Sequence, residues 1–238
     1  MAEIYSDEYF TGGGAGYADY LAEGEMLRAR GRDYARILSR FTEPGKILDV
    51  GAAAGFILQG LVESGWQGAG VEPNAAMARA GRERFGLRIE CGDLENYQSS
   101  EIFDAVSMIQ VAAHFHDARR AFEKAFDLLK PDGLLLVETW NFKSLTARAF
   151  GKNWHEYSPP SVLHWFAPET LTNFLAAIGF EKVARGRPAK KLSGGHAKSL
   201  LEYRLGKRVA PLLKIIPDRV NFPYPAEDLF WIIFRKKK

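Results

Sequence analysis

The sequence predicts a doubly wound α/β fold built on a mostly parallel sheet. Three observations carry this. Strand-length apolar runs at 46–50, 68–72, 103–108 and 134–139 alternate with helix-length patterns. The first run ends in a small-residue turn, Asp49-Val50-Gly51-Ala52-Ala53-Ala54-Gly55, followed by a helix-like stretch. The run Leu134 to Thr139, dominated by Leu and Val, reads as a strand buried on both faces, as parallel sheets require.

Composition bounds the rest. The chain has 238 residues and is 47% hydrophobic, enough for one sizeable core. No apolar run approaches the roughly 18 residues of a membrane helix. The opening residues Met1 to Asp7 lack a basic, then apolar, secretory pattern, so a cytoplasmic location is expected. Cys91 is the single cysteine; it cannot form an internal disulfide, and it reads as a small buried residue. A net charge of +3 does not itself imply a nucleic-acid partner. The basic residues do cluster between Lys182 and Lys214, where Glu181 and Glu202 are the only acids nearby. A solvated face is the plain reading of that run; an acidic ligand, an anionic lipid surface or RNA is the alternative.

Taken in order, residues 1–20 are rich in tyrosine and glycine and read as an arm that packs over a site. Leu27, Tyr34, Leu38 and Phe41 share one face of a helix from about 21 to 41, with Arg28, Arg30, Arg32 and Arg36 expected in solvent. The first strand and its turn lead to a helix from Phe56 to Ser64, closed by Gly65. Asn74 caps the next helix and Asp117 a later one, with Phe122, Phe126 and Leu129 facing inward. Lys130-Pro131-Asp132-Gly133 is a turn in which the glycine is expected to take the positive φ. A helix over Lys143 to Phe150 and a proline-containing loop follow, then a helix opened by Pro168 and ended by Gly179. Phe180 to Arg185 and Leu229 to Phe234 read as strands. Between them lies an excursion, 186–225, with helical character over 196–216. Lys236-Lys237-Lys238 reads as a solvated tail.

The first turn departs from a dinucleotide fingerprint, because Ala53 stands where the second glycine would be, and no Lys-Ser or Lys-Thr follows to make a phosphate loop. It permits close approach of a ligand without an evident phosphate cradle. Glu72 ends the second strand, where a carboxylate accepts from both ribose hydroxyls. Asp93 ends the third, placed to accept from an exocyclic amine, and Leu94 and Met77 offer apolar contact to a flat base. A glycine turn, a sugar acceptor and a base acceptor on successive strands describe an adenosine site.

With these residues in place the chain resembles the class I S-adenosylmethionine-dependent methyltransferases over roughly residues 41–140. The turn Asp49 to Gly55 matches the family's first motif, Val71-Glu72-Pro73 the second, and Cys91-Gly92-Asp93-Leu94 the third. Phe103-Asp104-Ala105-Val106 and Leu129-Lys130-Pro131-Asp132-Gly133-Leu134 resemble its fourth strand and the turn into the fifth. The resemblance implies a Rossmann-like methyltransferase fold, a seven-stranded mostly parallel sheet with an antiparallel last strand. It implies S-adenosyl-L-methionine as cofactor. Asp49, Gly51, Ala52, Ala53, Gly55 and Phe56 would hold its methionine end, Glu72 and Pro73 the ribose, and Met77, Gly92, Asp93 and Leu94 the adenine. Ile109, Gln110 and Val111 would line the sulfonium side. A single methyltransferase domain over 1–238 is expected: an arm and helix at 1–41, a cofactor half at 42–140 and an acceptor half at 141–238.

The acceptor is a small metabolite in this reading, methylated at oxygen or nitrogen by in-line displacement, with no metal required. If the acceptor must lose a proton, His114 and His164 are the candidate bases. Trp140, Asn141, His155 and Trp165 offer aromatic and hydrogen-bonding surface for it. Relatives that methylate quinone precursors resemble Glu-x-x-Glu-His after the fourth strand; here Gln110-Val111-Ala112-Ala113-His114 keeps only the histidine. The Asn-Pro-Pro-Tyr pattern of enzymes acting on nucleic-acid bases is missing, which argues against a nucleic-acid substrate. The alternatives are an RNA- or lipid-modifying enzyme using the basic 182–214 segment, and a non-catalytic cofactor-binding sensor or partner subunit. Sequence does not set the oligomeric state.

Overall fold

The computed structural model describes residues 23–188, 191–193, 198, 217, 221–223 and 226–237. The expected arm at 1–20 and the helix over 196–216 lie outside the described residues, apart from Lys198. In chain order the elements are α1 (Gly24–Leu38), β1 (Lys46–Val50), α2 (Phe56–Val62), β2 (Gln67–Glu72), α3 (Ala75–Phe85), β3 (Arg88–Cys91), β4 (Phe103–Ile109), α4 (Ala118–Leu128), β5 (Leu129–Trp140), α5 (Leu145–Phe150), α6 (Pro168–Ala176), β6 (Phe180–Gly186), β7 (Lys191–Ser193), β8 (Asn221–Pro223) and β9 (Leu229–Lys236).

Seven strands form one sheet in the order β3-β2-β1-β4-β5-β9-β6. Neighbours from β3 to β5 pair in parallel, and β9 runs antiparallel between β5 and β6. The expected doubly wound sheet with an antiparallel last strand is therefore present. Strand order reverses between β1 and β4, so the crevice at their carboxyl ends is where such a sheet takes a ligand. The short ribbon of β7 and β8 has no counterpart in the sequence reading.

Side chains alternate between two cores. Leu48, Val106, Leu135 and Val137 pack with Phe122 of α4 and Leu171 and Leu175 of α6. Ile47, Ala105, Leu134 and Leu136 pack on the other side with Tyr34 and Leu38 of α1 and Leu61 of α2. Burial of apolar side chains on both faces is the main term holding the layers together, at roughly 25 cal/mol per Å². On the second side α1 and α2 cross at backbone contact. A Cβ on Gly31 would lie 2.9 Å from the Gly60 Cα and inside the Ile57 carbonyl, and one on Gly60 would lie 2.9 Å from the Arg32 nitrogen.

Several local expectations are corrected. Arg28 and Arg32 pair with Glu63, the residue that caps the end of α2, and Arg30 with Glu138, so only Arg36 of the four stands exposed, beside Asp33. They sit where α1 meets charged groups of neighbouring elements, a relation that helix periodicity does not record. The expected turn at 130–133 lies within β5, at the irregularity where the β4–β5 register shifts, and the positive φ there belongs to Asp132 (64°), not to Gly133. Helix α2 ends at Val62, and Gly65 takes its positive φ of 96° in the turn beyond. Cys91 is exposed, since β3 is the sheet edge and only Ile89 of that strand is buried. Lys236 is no tail residue; its ammonium donates to the carbonyls of Phe126 and Leu129 at 2.7 and 2.8 Å.

Candidate active site

The glycine turn emerges from β1 into the crevice. Gly51 (φ 68°), Ala53 (φ 46°) and Gly55 (φ 76°) all adopt left-handed backbone, the last as N-cap of α2. Ala53 bears a strain that glycine would not. It is held there by Glu72, whose Oε2 accepts from the Ala53 N–H and whose Oε1 accepts from the Asn74 N–H, both at 2.8 Å. The carboxylate thus stitches the turn after β1 to the turn after β2. Burial raises its pKa, and those two N–H groups oppose the rise. Replacing Glu72 with alanine should cost roughly 2–4 kcal/mol in stability, because two buried N–H groups lose their acceptor. Chemical denaturation measures this, and an unchanged midpoint would show that water replaces the carboxylate there.

Asp49 lies one strand away, 3% exposed. It accepts from the Ser107 hydroxyl of β4 at 2.7 Å. Burial pushes its pKa from 3.8 up to about 7; the serine opposes this and the nearby Glu72 adds to it. Among the described residues neither Asp49 nor Glu72 has a salt-bridge partner. Two buried acids beside one turn, short of positive charge, fit a cationic ligand. Asp93 caps the short helical turn Leu94–Asn96, and its Oδ1 takes both bonds from Asn96. A Cβ on Gly92 would meet nothing within 4 Å, so space opens beside it.

The remaining predicted cofactor residues sort by burial. Met77 and Phe56 share a buried cluster with Leu27, Ala53 and Ala54, backing the turn. Leu94 belongs to the large core with Tyr97. Ala52 packs with Leu58 and Ala78, and Pro73 is half-buried. At the end of β4, Ile109 is buried and Gln110 turns left-handed at φ 59°. Val111 then faces the glycine turn: a Cβ on Gly51 would lie 3.3 Å from the Val111 Cβ.

The acceptor-side residues gather around the segments after β4 and β5. The His114 Nδ1 lies 2.7 Å from the Ser161 carbonyl. A carbonyl only accepts, so Nδ1 carries the proton and Nε2 the lone pair. Burial lowers the pKa of His114 and holds it neutral. His164 is tied through Nε2 to the Phe115 carbonyl at 2.9 Å. His155 meets the Trp140 ring edge-on, with centroids 4.5 Å apart, and lies 3.9 Å from the buried Asp228. Trp165 stacks on Tyr157 and donates to the Glu156 carbonyl. The Asn141 side chain is engaged by the Lys143 N–H. The sequence reading passed over Glu138. It lies inside an apolar run, yet it is fully buried and is bonded by Arg30, Tyr34 and Gln110. A charged residue within an otherwise Leu- and Val-rich strand was the available signal.

Residues 25–185 match the model of a family described as a methyltransferase domain. A ubiquinone biosynthesis O-methyltransferase of Bradyrhizobium diazoefficiens is 28% identical over 141 residues, 55% of this chain and 56% of that protein. The chain thus spans little more than half the length of the curated relatives it matches. A Thermotoga maritima structure described as a SAM-dependent methyltransferase, possible histamine N-methyltransferase, is 21% identical with a TM-score of 0.61, covering 92% of this chain and 93% of that one. A SAM-dependent methyltransferase from Archaeoglobus fulgidus is 21% identical with a TM-score of 0.62, covering 97% of each chain. These two show the fold. Among the described residues no helix is long and apolar enough to cross a membrane.

Proposed function

The chain belongs to the methyltransferase-domain family, and from that premise we propose that it methylates an oxygen of a small molecule, with S-adenosylmethionine as donor. One observation carries the reading: Asp49, Glu72 and Asp93 stand at the carboxyl ends of three adjacent strands around one left-handed glycine turn. Asp49, buried with no salt-bridge partner among the described residues, suits the ammonium of the methionine end. Glu72 suits the ribose and Asp93 the adenine amine. The O-methyltransferase names of the matched relatives support oxygen as the target.

The cofactor, when bound, supplies an activated methyl group on a sulfonium, so the protein's part is to orient donor and acceptor, an effect worth as much as about 7–11 kcal/mol. Val111 and Gln110 close the side facing the glycine turn. His114, neutral with its lone pair on Nε2, accepts the acceptor's hydroxyl proton. Trp140 and His155 form an aromatic wall for a flat acceptor. Residues 42–140 serve the donor and 141–238 the acceptor.

Isothermal titration with S-adenosylmethionine should show binding, and no heat at a ligand concentration of about 1 mM would overturn the reading; a micromolar site would be saturated there. In a panel of hydroxylated aromatic acids, monitored by S-adenosylhomocysteine release, His114→Gln should slow turnover roughly 100-fold with cofactor affinity unchanged. Equal rates would remove His114 as the base.

A further inference from the structure

We infer that Glu138 is a positioning residue, which holds the Gln110–Val111 turn against the glycine turn and ties that turn to helix α1. The inference rests on the functional reading above in one respect only, that this turn faces the cofactor. Glu138 sits near the carboxyl end of β5, in register with Ile109 of β4. Its side chain is fully buried. The Arg30 guanidinium donates to Oε1 at 2.6 Å, the Gln110 amide donates to Oε1 at 2.9 Å, and the Tyr34 hydroxyl donates to Oε2. Arg30 also donates to the Tyr34 hydroxyl at 2.9 Å. The Glu138 main chain adds a further bond, its carbonyl accepting from the Gln110 N–H at 2.8 Å.

A buried ion pair is a poor device for stability alone, since desolvation offsets the attraction. Its placement indicates another use. Gln110 is not glycine, yet it adopts φ 59°, a conformation that side chains other than glycine resist and that persists only where the surroundings over-determine it. Glu138 supplies the surroundings, bonding both the main chain and the side chain of Gln110. The left-handed turn in turn carries Val111 over Gly51, whose missing Cβ makes room for it. Without the hold on Gln110, the cheaper right-handed or extended backbone would move Val111 away from the glycine turn. Burial raises the pKa of Tyr34 well above 10 and so keeps its hydroxyl a donor. Arg30 and Tyr34 both lie on α1, so placement of α1 and shape of the donor side are joined through one carboxylate.

The test separates holding from mere packing. In Arg30→Met/Tyr34→Phe/Glu138→Leu the polar partners other than Gln110 are replaced together by apolar ones, so none of the three is left as a stranded charge. S-adenosylmethionine affinity should fall at least tenfold while the melting temperature stays within a few degrees. Adding Gln110→Gly should restore affinity to within about threefold, because glycine takes a positive φ without help. Unchanged affinity in the triple variant, or a loss that glycine does not rescue, would overturn the inference. If the triple variant does not fold, Gln110→Ala against Gln110→Gly decides: alanine should bind at least fivefold more weakly than glycine, and equal affinities count against the hold. If the wild-type chain itself binds no S-adenosylmethionine, the functional reading fails separately. The hold is then read from amide exchange at 109–113, which should quicken in the triple variant and overturns the inference if it does not.

Discussion

Replacing Asp49 with asparagine should stabilise the free protein at pH 8 and abolish the pH dependence of cofactor binding. The Asp49 carboxyl titrates near 7 in the folded chain against 3.8 ordinarily. A raised pKa on an acid means that the folded state favours the proton. Below about pH 4 Asp49 is neutral whether the chain is folded or not, and it contributes nothing. Between about pH 4 and 7 the folded chain keeps a proton that the unfolded chain has lost, so stability declines as pH rises. Above pH 7 the full penalty stands. A displacement of that size corresponds to roughly 4 kcal/mol at most. Asparagine keeps an acceptor for Ser107 and carries no charge, so part of that amount should return, on the order of 2–3 kcal/mol. Urea denaturation from pH 5 to 8 reads this directly; parallel wild-type and variant curves would mean that Asp49 is not buried as an acid.

The same residue should reverse sign once the cofactor is present. An ammonium beside Asp49 favours the ionised form, so binding between about pH 5 and 7 should release a proton and tighten as pH rises. In Asp49→Asn that slope should vanish and affinity at pH 8 should drop by on the order of tenfold, the loss of one charged hydrogen bond. Isothermal titration in buffers of different ionisation enthalpy measures the proton release. A wild-type affinity independent of pH across that window would separate Asp49 from the ligand.

The second large effect belongs to packing. Gly60→Ala places a methyl group at the α1–α2 crossing, 2.9 Å from both the Arg32 nitrogen and the Gly31 Cα. Those are backbone atoms, and no rotamer change relieves the overlap. The helices must separate, and Tyr34, Leu38 and Leu61 lose contact with the sheet they share. We expect a loss of roughly 2–3 kcal/mol, near the upper end for overpacking, which lowers the melting temperature of a chain this size by about 5–10 °C. Gly31→Ala should cost a similar amount. The double variant should cost less than the sum, because one separation relieves both overlaps. Calorimetry on the three variants checks the size and the shortfall; a Gly60→Ala protein that melts with the wild type would mean that the helices separate freely.

Sequence alone determined the sheet, its parallel majority and the run of a glycine turn followed by acids at successive strand ends, because those features are local; the antiparallel last strand was implied by the family resemblance. Periodicity, caps such as Asn74 and Asp117, and acids at strand ends are each written in a few consecutive residues. The exposed Cys91, the paired arginines of α1 and the anchored Lys236 were not legible, because each depends on which element lies alongside. Cys91 ends an edge strand, and strand order is a property of the whole sheet. Glu138 shows the difference most fully. A carboxylate in an apolar strand carries no partner in its own neighbourhood. Its partners come from Arg30 and Tyr34, more than a hundred residues earlier, and from Gln110 in the turn after the adjacent strand. Local chemistry named the groups suited to the donor. Only the tertiary structure decided which buried charges are compensated, because a low-dielectric interior makes each charge depend on neighbours brought together by folding. Glu138 has its cation there, and Asp49 has no salt-bridge partner among the described residues.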